Sequence, residues 1–315
     1  MPISTQRPRS LPIVCLAISI CCAFSCSSTG ENTQPDPATD ETFRPLGPAS
    51  RSDDSIGKYM ADLSTSINAW MEKTLTASTG KERKKQSILE TNIGERVCIR
   101  QAEIVEELET GSVKNRIIAA AALGFCGDPA VLSPLLTALD DPEEKVVGNA
   151  LMGLGLLNSP GTPLHPIGEL LRYSANPRTR WSAADCALSL IAGGADQSGI
   201  VEAARAGLTD AQEPMVRTQC ALILALIGDT ESIDALAVLL YDEYPLVSKS
   251  AAQSLAYIGT RQDKSAGAAA RALVAALAEG DRDLRLRVHP SLARLSGRDY
   301  GLDVEEWQSW ADKLP

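Results

Sequence analysis

Aromatic side chains supply only 4% of this 315-residue chain, and histidine occurs twice. That leaves no set of residues to wall a pigment pocket. His165, in TPLHPIG, and His289, in RVHPSL, each stand beside proline, without the His-x-x-x-His spacing that places two imidazoles on one helical face. No CxxC pair occurs, which removes the usual frame for structural zinc. A G-x-S-x-G elbow is missing as well. Gly153-Leu154-Gly155 has the start of a dinucleotide loop but lacks the third glycine and lies inside a helical phrase, so it reads as close helix packing. Catalytic, cofactor-binding and metal-ligating residues are therefore all expected to be none, with no small-molecule substrate. No stretch alternates cleanly over six residues, so strands have little signal. Positive charge is the scarcer sign: 30 Lys and Arg against 40 Asp and Glu leave a net charge of −10, wrong for wrapping nucleic acid.

What the chain has instead is repetition. A run of alanines and leucines ending in a small residue returns at residues 119–127 (AAAALGFCG), 150–158, 184–194, 219–228, 251–259 and 289–297. Aligning the last small residue of each gives Gly127, Asn158, Gly193, Gly228, Gly259 and Ser296, at intervals of 31, 35, 35, 31 and 37 residues. A period of this size marks stacked units, each burying its apolar face only against its neighbours. Every unit reads as two helices. The first carries the Ala/Leu phrase, and its alanines allow close approach of the partner helix. The small residue after it suits the positive φ of a helix end. The second helix is AVLSPLLTAL, PIGELLRYS, IVEAARAGL, SIDALAVLL or AAARALVAAL, and an acidic turn such as DDPEE or YDEYP usually follows. Proline next to these turns stops one helix and starts another without wasting a donor.

The phrase "VR, alanines, ALG, small residue, D, second helix, acidic turn" is carried best by Val216-Arg217 with Ala225-Leu226-Ile227-Gly228-Asp229 and by Ala120-Ala121-Ala122-Leu123-Gly124. It resembles HEAT-like repeats of the armadillo-like α-solenoid class, especially the short form named for phycobilisome lyases. The resemblance covers about two thirds of the chain. It departs from the pattern where arginine is missing, at Val147-Gly148 and Trp181-Ser182. The expected fold is all-α: an α-solenoid of stacked two-helix HEAT-like repeats with N- and C-terminal caps. The resemblance further implies a concave face lined by the second helices, around 133–139, 169–174, 202–206, 234–241 and 271–277. It implies a scaffold holding another protein or an envelope component, not an enzyme. The alternative is a lyase-like enzyme acting on a chromophore or thioether.

The remaining segments frame the array. Residues 1–26 hold Arg7, Arg9 and the apolar run 11–24, too short at 14 residues for a spanning helix, which needs about 20, and suited to an export signal. The run ends in Ala23-Phe24-Ser25-Cys26 and resembles a bacterial lipoprotein signal, with Cys26 as the lipidated residue; an ordinary secretory signal and an uncleaved anchor are the other readings. Cleavage there takes the charge from −10 to −12, since two arginines and no acids leave. Ser27 after the cysteine implies the outer membrane, on the periplasmic side, with the lipid as the membrane contact. Residues 27–54 read as a disordered tether with a reach on the order of 30 Å. Residues 55–94 form N-terminal helices, the first over 55–76, and KERKK (81–85) is a solvated helix face. Residues 95–297 are the array, opened by a helix from Glu95, and 298–315 are a C-terminal capping segment holding Trp307 and Trp310. Asp303 is placed as its N-cap. Lys145, Arg178, Arg180, Arg217 and Lys249, near the starts of first helices, are expected to meet the acidic turns in a ladder. Cys98, Cys126, Cys186 and Cys220 are expected to be mostly free buried thiols, with a bridge between neighbouring helices as the lesser alternative.

Overall fold

The computed structural model describes residues 54–210 and 212–315. The export-signal segment, Cys26 and the tether up to residue 53 lie outside the described residues. Among the described residues the regular structure is α-helix and three short 3-10 turns, without a strand. The molecule divides into two compact units, one ending at Asp128 and the other running from Pro129 to Pro315.

The first unit holds α1 (Ile56–Thr76), α2 (Gly80–Ile99), α3 (Gln101–Thr110) and α4 (Val113–Leu123). Apolar residues three and four apart give α1 one buried face, on which Met60, Leu63, Ile67 and Trp70 pack against α2 and α4. Ser55 caps α1, and a Thr79–Glu82 capping box starts α2. The edge of Trp70 meets the ring of Phe125, just beyond α4, at 5.0 Å between centroids. The helix expected to open at Glu95 does not: α2 runs through to Ile99 and the break falls at Arg100, whose φ of −123° and ψ of 31° are not helical. There the guanidinium pairs with Glu103 and donates to the Asp54 carbonyl at 3.0 Å. The break changes helical phase, so Val97, Ile104 and Leu108 are buried while Cys98 and Ala102 face out.

In the second unit the helices are α5 (Leu132–Thr137), α6 (Glu144–Leu157), α7 (His165–Tyr173), α8 (Pro177–Ala192), α9 (Val201–Gly207), α10 (Pro214–Ile227), α11 (Ile233–Leu239), α12 (Pro245–Arg261), α13 (Asp263–Glu279), α14 (Arg282–Ser296) and α15 (Val304–Ala311). First helices pack in file, α6 on α8, α8 on α10, α10 on α12 and α12 on α14. Second helices form the other layer, with α7 on α9, α11 on α13 and α13 on α15. This is an all-α solenoid built of helical pairs. Its core is the set of Ala/Leu phrases: Ala150, Leu154, Ala187, Leu190, Leu224 and Leu255 are all buried. Each leucine taken fully from water contributes about 1.5–3 kcal/mol.

The small residues after the phrases do different jobs. Gly228 caps α10 with φ 78°, and Asn158 ends α6 in the same left-handed region at φ 45°. Gly259 instead lies inside α12, which runs two residues further. A Cβ there would meet Leu295 Cδ1 at 2.8 Å, so this glycine serves close helix contact, not helix termination. Gly155 likewise lies in α6 against Cys186 of α8, as expected for helix packing.

Candidate protein-binding face

An arginine is the fourth residue of three first helices in the second unit, α8, α10 and α14, where Arg285 donates to the Gly280 and Ala278 carbonyls at 2.9 Å. Arg180 in α8 and Arg217 in α10 share that register, so the arginine expected to be missing around Trp181 is present one residue earlier. Arg180 donates to the Ser174 carbonyl at 2.9 Å and meets Asp210 at 2.6 Å. Arg217 donates to the Asp210 carbonyl at 2.6 Å and grips Asp242 through Nε at 2.8 Å and Nη2 at 3.0 Å. Each guanidinium therefore ties the turn before its helix to the acidic turn that closes its repeat. Both pairs are nearly buried, with side-chain exposures of 9–11%. Burial pushes the Asp210 carboxyl up, but Arg180 and the amides of Gln212 and Glu213 outweigh it and hold that group below its ordinary value. Val147 and Ser248 fill the same register in α6 and α12, and Ser248 Oγ caps the Leu240 carbonyl at 2.6 Å. Lys145, Arg178 and Lys249 are exposed.

Between α8 and α10 lies a buried polar pair. Gln219 Nε2 donates to Asp185 at 3.0 Å, while Gln219 Oε1 and the Trp181 indole nitrogen are buried without a partner among the described residues. Burial pushes the Asp185 carboxyl up to about 6. Protonation of Asp185 removes the buried charge, and its oxygen still accepts from Gln219 Nε2. A raised folded-state value means the stabilisation is complete below about pH 4 and is lost as pH rises through about 6. Asp185→Asn, which is neutral at every pH, is expected to stabilise the protein by about 2–3 kcal/mol at pH 7.5 and by little at pH 4. Urea denaturation of both proteins at the two pH values measures the difference.

The second helices expected to line a binding surface turn a polar, small-residue side outward, through Ser133, Thr137, Glu202, Ala206, Ala235 and Ala275. Three large apolar side chains interrupt it. Val238 in α11 is 73% exposed, Tyr173 at the end of α7 is 64% exposed, and Tyr241 follows α11 at 53%. Sequence reasoning bounded these segments without choosing contact residues, because exposure at a helix end is set by the neighbouring repeat.

One notch of about 220 Å³ opens between α7 and α9, lined by His165, Glu169, Arg172 and Glu202. The helices meet there because Gly168 lacks a side chain: a Cβ would stand 2.4 Å from the Gly199 carbonyl oxygen. His165 and Glu169 share this notch through their one-turn spacing in α7, a signal readable in the sequence but passed over there. No group of three His, Cys, Asp or Glu among the described residues is placed to hold a metal ion. His289 sits elsewhere, with Nε2 2.6 Å from Asp299. Asp303 caps α15 by accepting from the amides of Glu305 and Glu306. No described helix is long and apolar enough to cross a membrane.

The four described cysteines are free thiols. Cys186 and Cys220 are buried, and burial raises both well above the ordinary thiol value. The other two depart from expectation: Cys98 is exposed, and Cys126 lies half-buried beyond the end of α4. The phrase AAAALGFCG overshoots its helix, which stops at Leu123.

A family model of HEAT repeats matches residues 102–187, 164–256 and 201–293. No curated protein matches the chain. Among solved structures it is similar to an engineered protein at 19% identity and TM-score 0.50, covering 84% of this chain and 80% of that one. It is also similar to a designed armadillo repeat protein in complex with peptide (KR)4, at 19% identity and TM-score 0.49, covering 61% of this chain and 98% of that one. At 19% identity the likeness to the engineered protein speaks to fold alone. The matched segments overlap from residue 102 to 293, take in more than half of the sequence and coincide with the stacked helical pairs, so the chain belongs to the HEAT repeat family.

Proposed function

We propose that this protein is an exported, non-catalytic scaffold, tethered to the periplasmic side of the bacterial outer membrane through a lipid on Cys26, whose second-helix face binds another protein or an envelope component. The observation that carries the binding reading is the exposure of Tyr173, Val238 and Tyr241 on a layer whose outward side is otherwise small or polar. Tyrosine is enriched among interface anchors, and Val238 and Tyr241 lie one turn apart, so one partner can cover both. Paired helices also repeat along the second unit, so an extended partner meets equivalent positions on successive repeats. The export reading rests on the basic start, the apolar run 11–24 and the small residues ahead of Cys26.

Crosslinking in intact cells followed by mass spectrometry tests binding. The wild-type protein is expected to capture one or two defined partners, and a Val238→Asp, Tyr241→Ala double variant to lose at least about tenfold in yield, the scale of one hot-spot residue. Unchanged capture by the double variant sinks the assigned face, and turnover of a small molecule by the pure protein sinks the non-catalytic reading. Separately, Cys26→Ser is expected to leave the membrane fraction; a variant that stays there removes the lipid anchor.

A further inference from the structure

Two cysteines that the sequence sets 28 residues apart are brought together in the first unit. Gly94 and Cys98 lie one turn apart on the same side of α2. At Gly94 the chain beyond α4 comes so close that a Cβ would stand 2.7 Å from the Phe125 carbonyl oxygen. One turn further on, the Cys98 thiol donates to the carbonyl of Cys126 itself at 3.4 Å. The sulfur of Cys98 thus already lies against the residue whose thiol it would join. The two differ in setting. Cys98 is exposed at the last turn of α2, beside the exposed Ile99, while Cys126 is half-buried and its sulfur accepts from the Asp128 amide at 3.3 Å. Burial raises the Cys126 thiol, and the proximity of Cys98 raises it further.

We propose that Cys98 and Cys126 form a reversible disulfide that fastens the end of α2 to the end of α4 when the protein meets a disulfide oxidant. The exposed Cys98 thiolate attacks one sulfur of the oxidant, expelling a thiolate and leaving a mixed disulfide on Cys98. The Cys126 thiolate then attacks Cys98 Sγ and expels the second thiolate. Two protein thiols lose two electrons and two protons, and the oxidant is reduced to two thiols. Cys98 is the attacking group because it is reachable from solvent, and Cys126 the resolving one because burial withholds its thiolate from outside reagents. The bond closes a ring that contains all of α3 and α4, whose freedom in the unfolded chain it removes. Cys186 and Cys220, buried in the second unit, have no part in it.

The test uses the full-length protein, reduced and then incubated with oxidised glutathione, alkylated and digested with trypsin. Cleavage after Arg96, Arg100, Arg116 and Lys145 puts Cys98 in the peptide 97–100 and Cys126 in the peptide 117–145. The expected result is one peptide pair joined by a disulfide, lighter than the two free peptides by two hydrogens and released by dithiothreitol. The expected companion is Cys126→Ser, in which the peptide 97–100 carries glutathione instead. The proposal is overturned if wild-type peptide 97–100 carries glutathione while 117–145 is alkylated, if both are alkylated, or if Cys98 joins any other cysteine, including that of a second molecule. None of these outcomes depends on where the protein resides, so the pairing and the export reading stand or fall separately.

Discussion

Arg217→Ala is expected to destabilise the second unit by about 3–5 kcal/mol. The size follows from burial. Both partners of the Arg217–Asp242 pair are only 9% exposed, so removing the guanidinium leaves a nearly buried carboxylate with no opposing charge, held only by the Tyr244 amide at 2.9 Å. The same change strips the Asp210 carbonyl of its donor at 2.6 Å. A surface pair of equal length would be worth a fraction of a kcal/mol. The double variant Arg217→Met, Asp242→Leu separates the two terms: with both charges gone the penalty should shrink to about 1 kcal/mol or less, since apolar replacements of buried pairs are often neutral. Urea denaturation followed by circular dichroism gives both numbers. A single variant that unfolds at the wild-type midpoint would show that the pair is hydrated in solution.

The second large effect is expected at the other end of the array. Trp307 has no exposed surface. Its ring packs edge-on against Tyr300 at 4.8 Å and Trp310 at 5.6 Å, and its indole nitrogen donates to the Gly301 carbonyl at 2.9 Å. Trp307→Ala therefore removes the centre of the aromatic cluster that holds α15, at a cost of about 3–5 kcal/mol. In a repeat protein such a loss stays local, because each unit touches only its neighbours. Hydrogen exchange should show residues 304–311 opening while the amides of α8 and α10 keep their protection. Trp307→Phe, which keeps an aromatic ring but loses the hydrogen bond, should cost about 1 kcal/mol. Global loss of protection in the alanine variant would mean that α15 belongs to the same cooperative unit as the middle repeats.

Helical identity was legible because it is a local property. The three- and four-residue steps of Ile56, Tyr59, Met60, Leu63, Ile67 and Trp70 describe α1 almost to its ends, and Pro177, Pro214 and Pro245 do start α8, α10 and α12. Local reading failed where two helices meet end to end. No glycine or proline marks the break at Arg100; it is held by contacts to Asp54 and Glu103, and Asp54 is 46 residues away. It failed again at Gly259, where a small residue that terminates a helix elsewhere instead makes room for Leu295.

The amino-acid order by itself determined the class of this protein: alanine- and leucine-rich phrases of period 31–37 residues force helices to pair and stack, since one unit cannot cover its own apolar face. Tertiary structure decided which side chains meet. Arg217 reaches Asp242, Gln219 reaches Asp185, Cys98 reaches Cys126, and Tyr173 and Val238 are left in water. Those partners stand 25–34 residues apart, and their meeting depends on how far each helix is rotated about its axis against the next. The apolar stripe fixes that rotation only to within its own width of about 100°, and the packing of neighbouring repeats sets the rest.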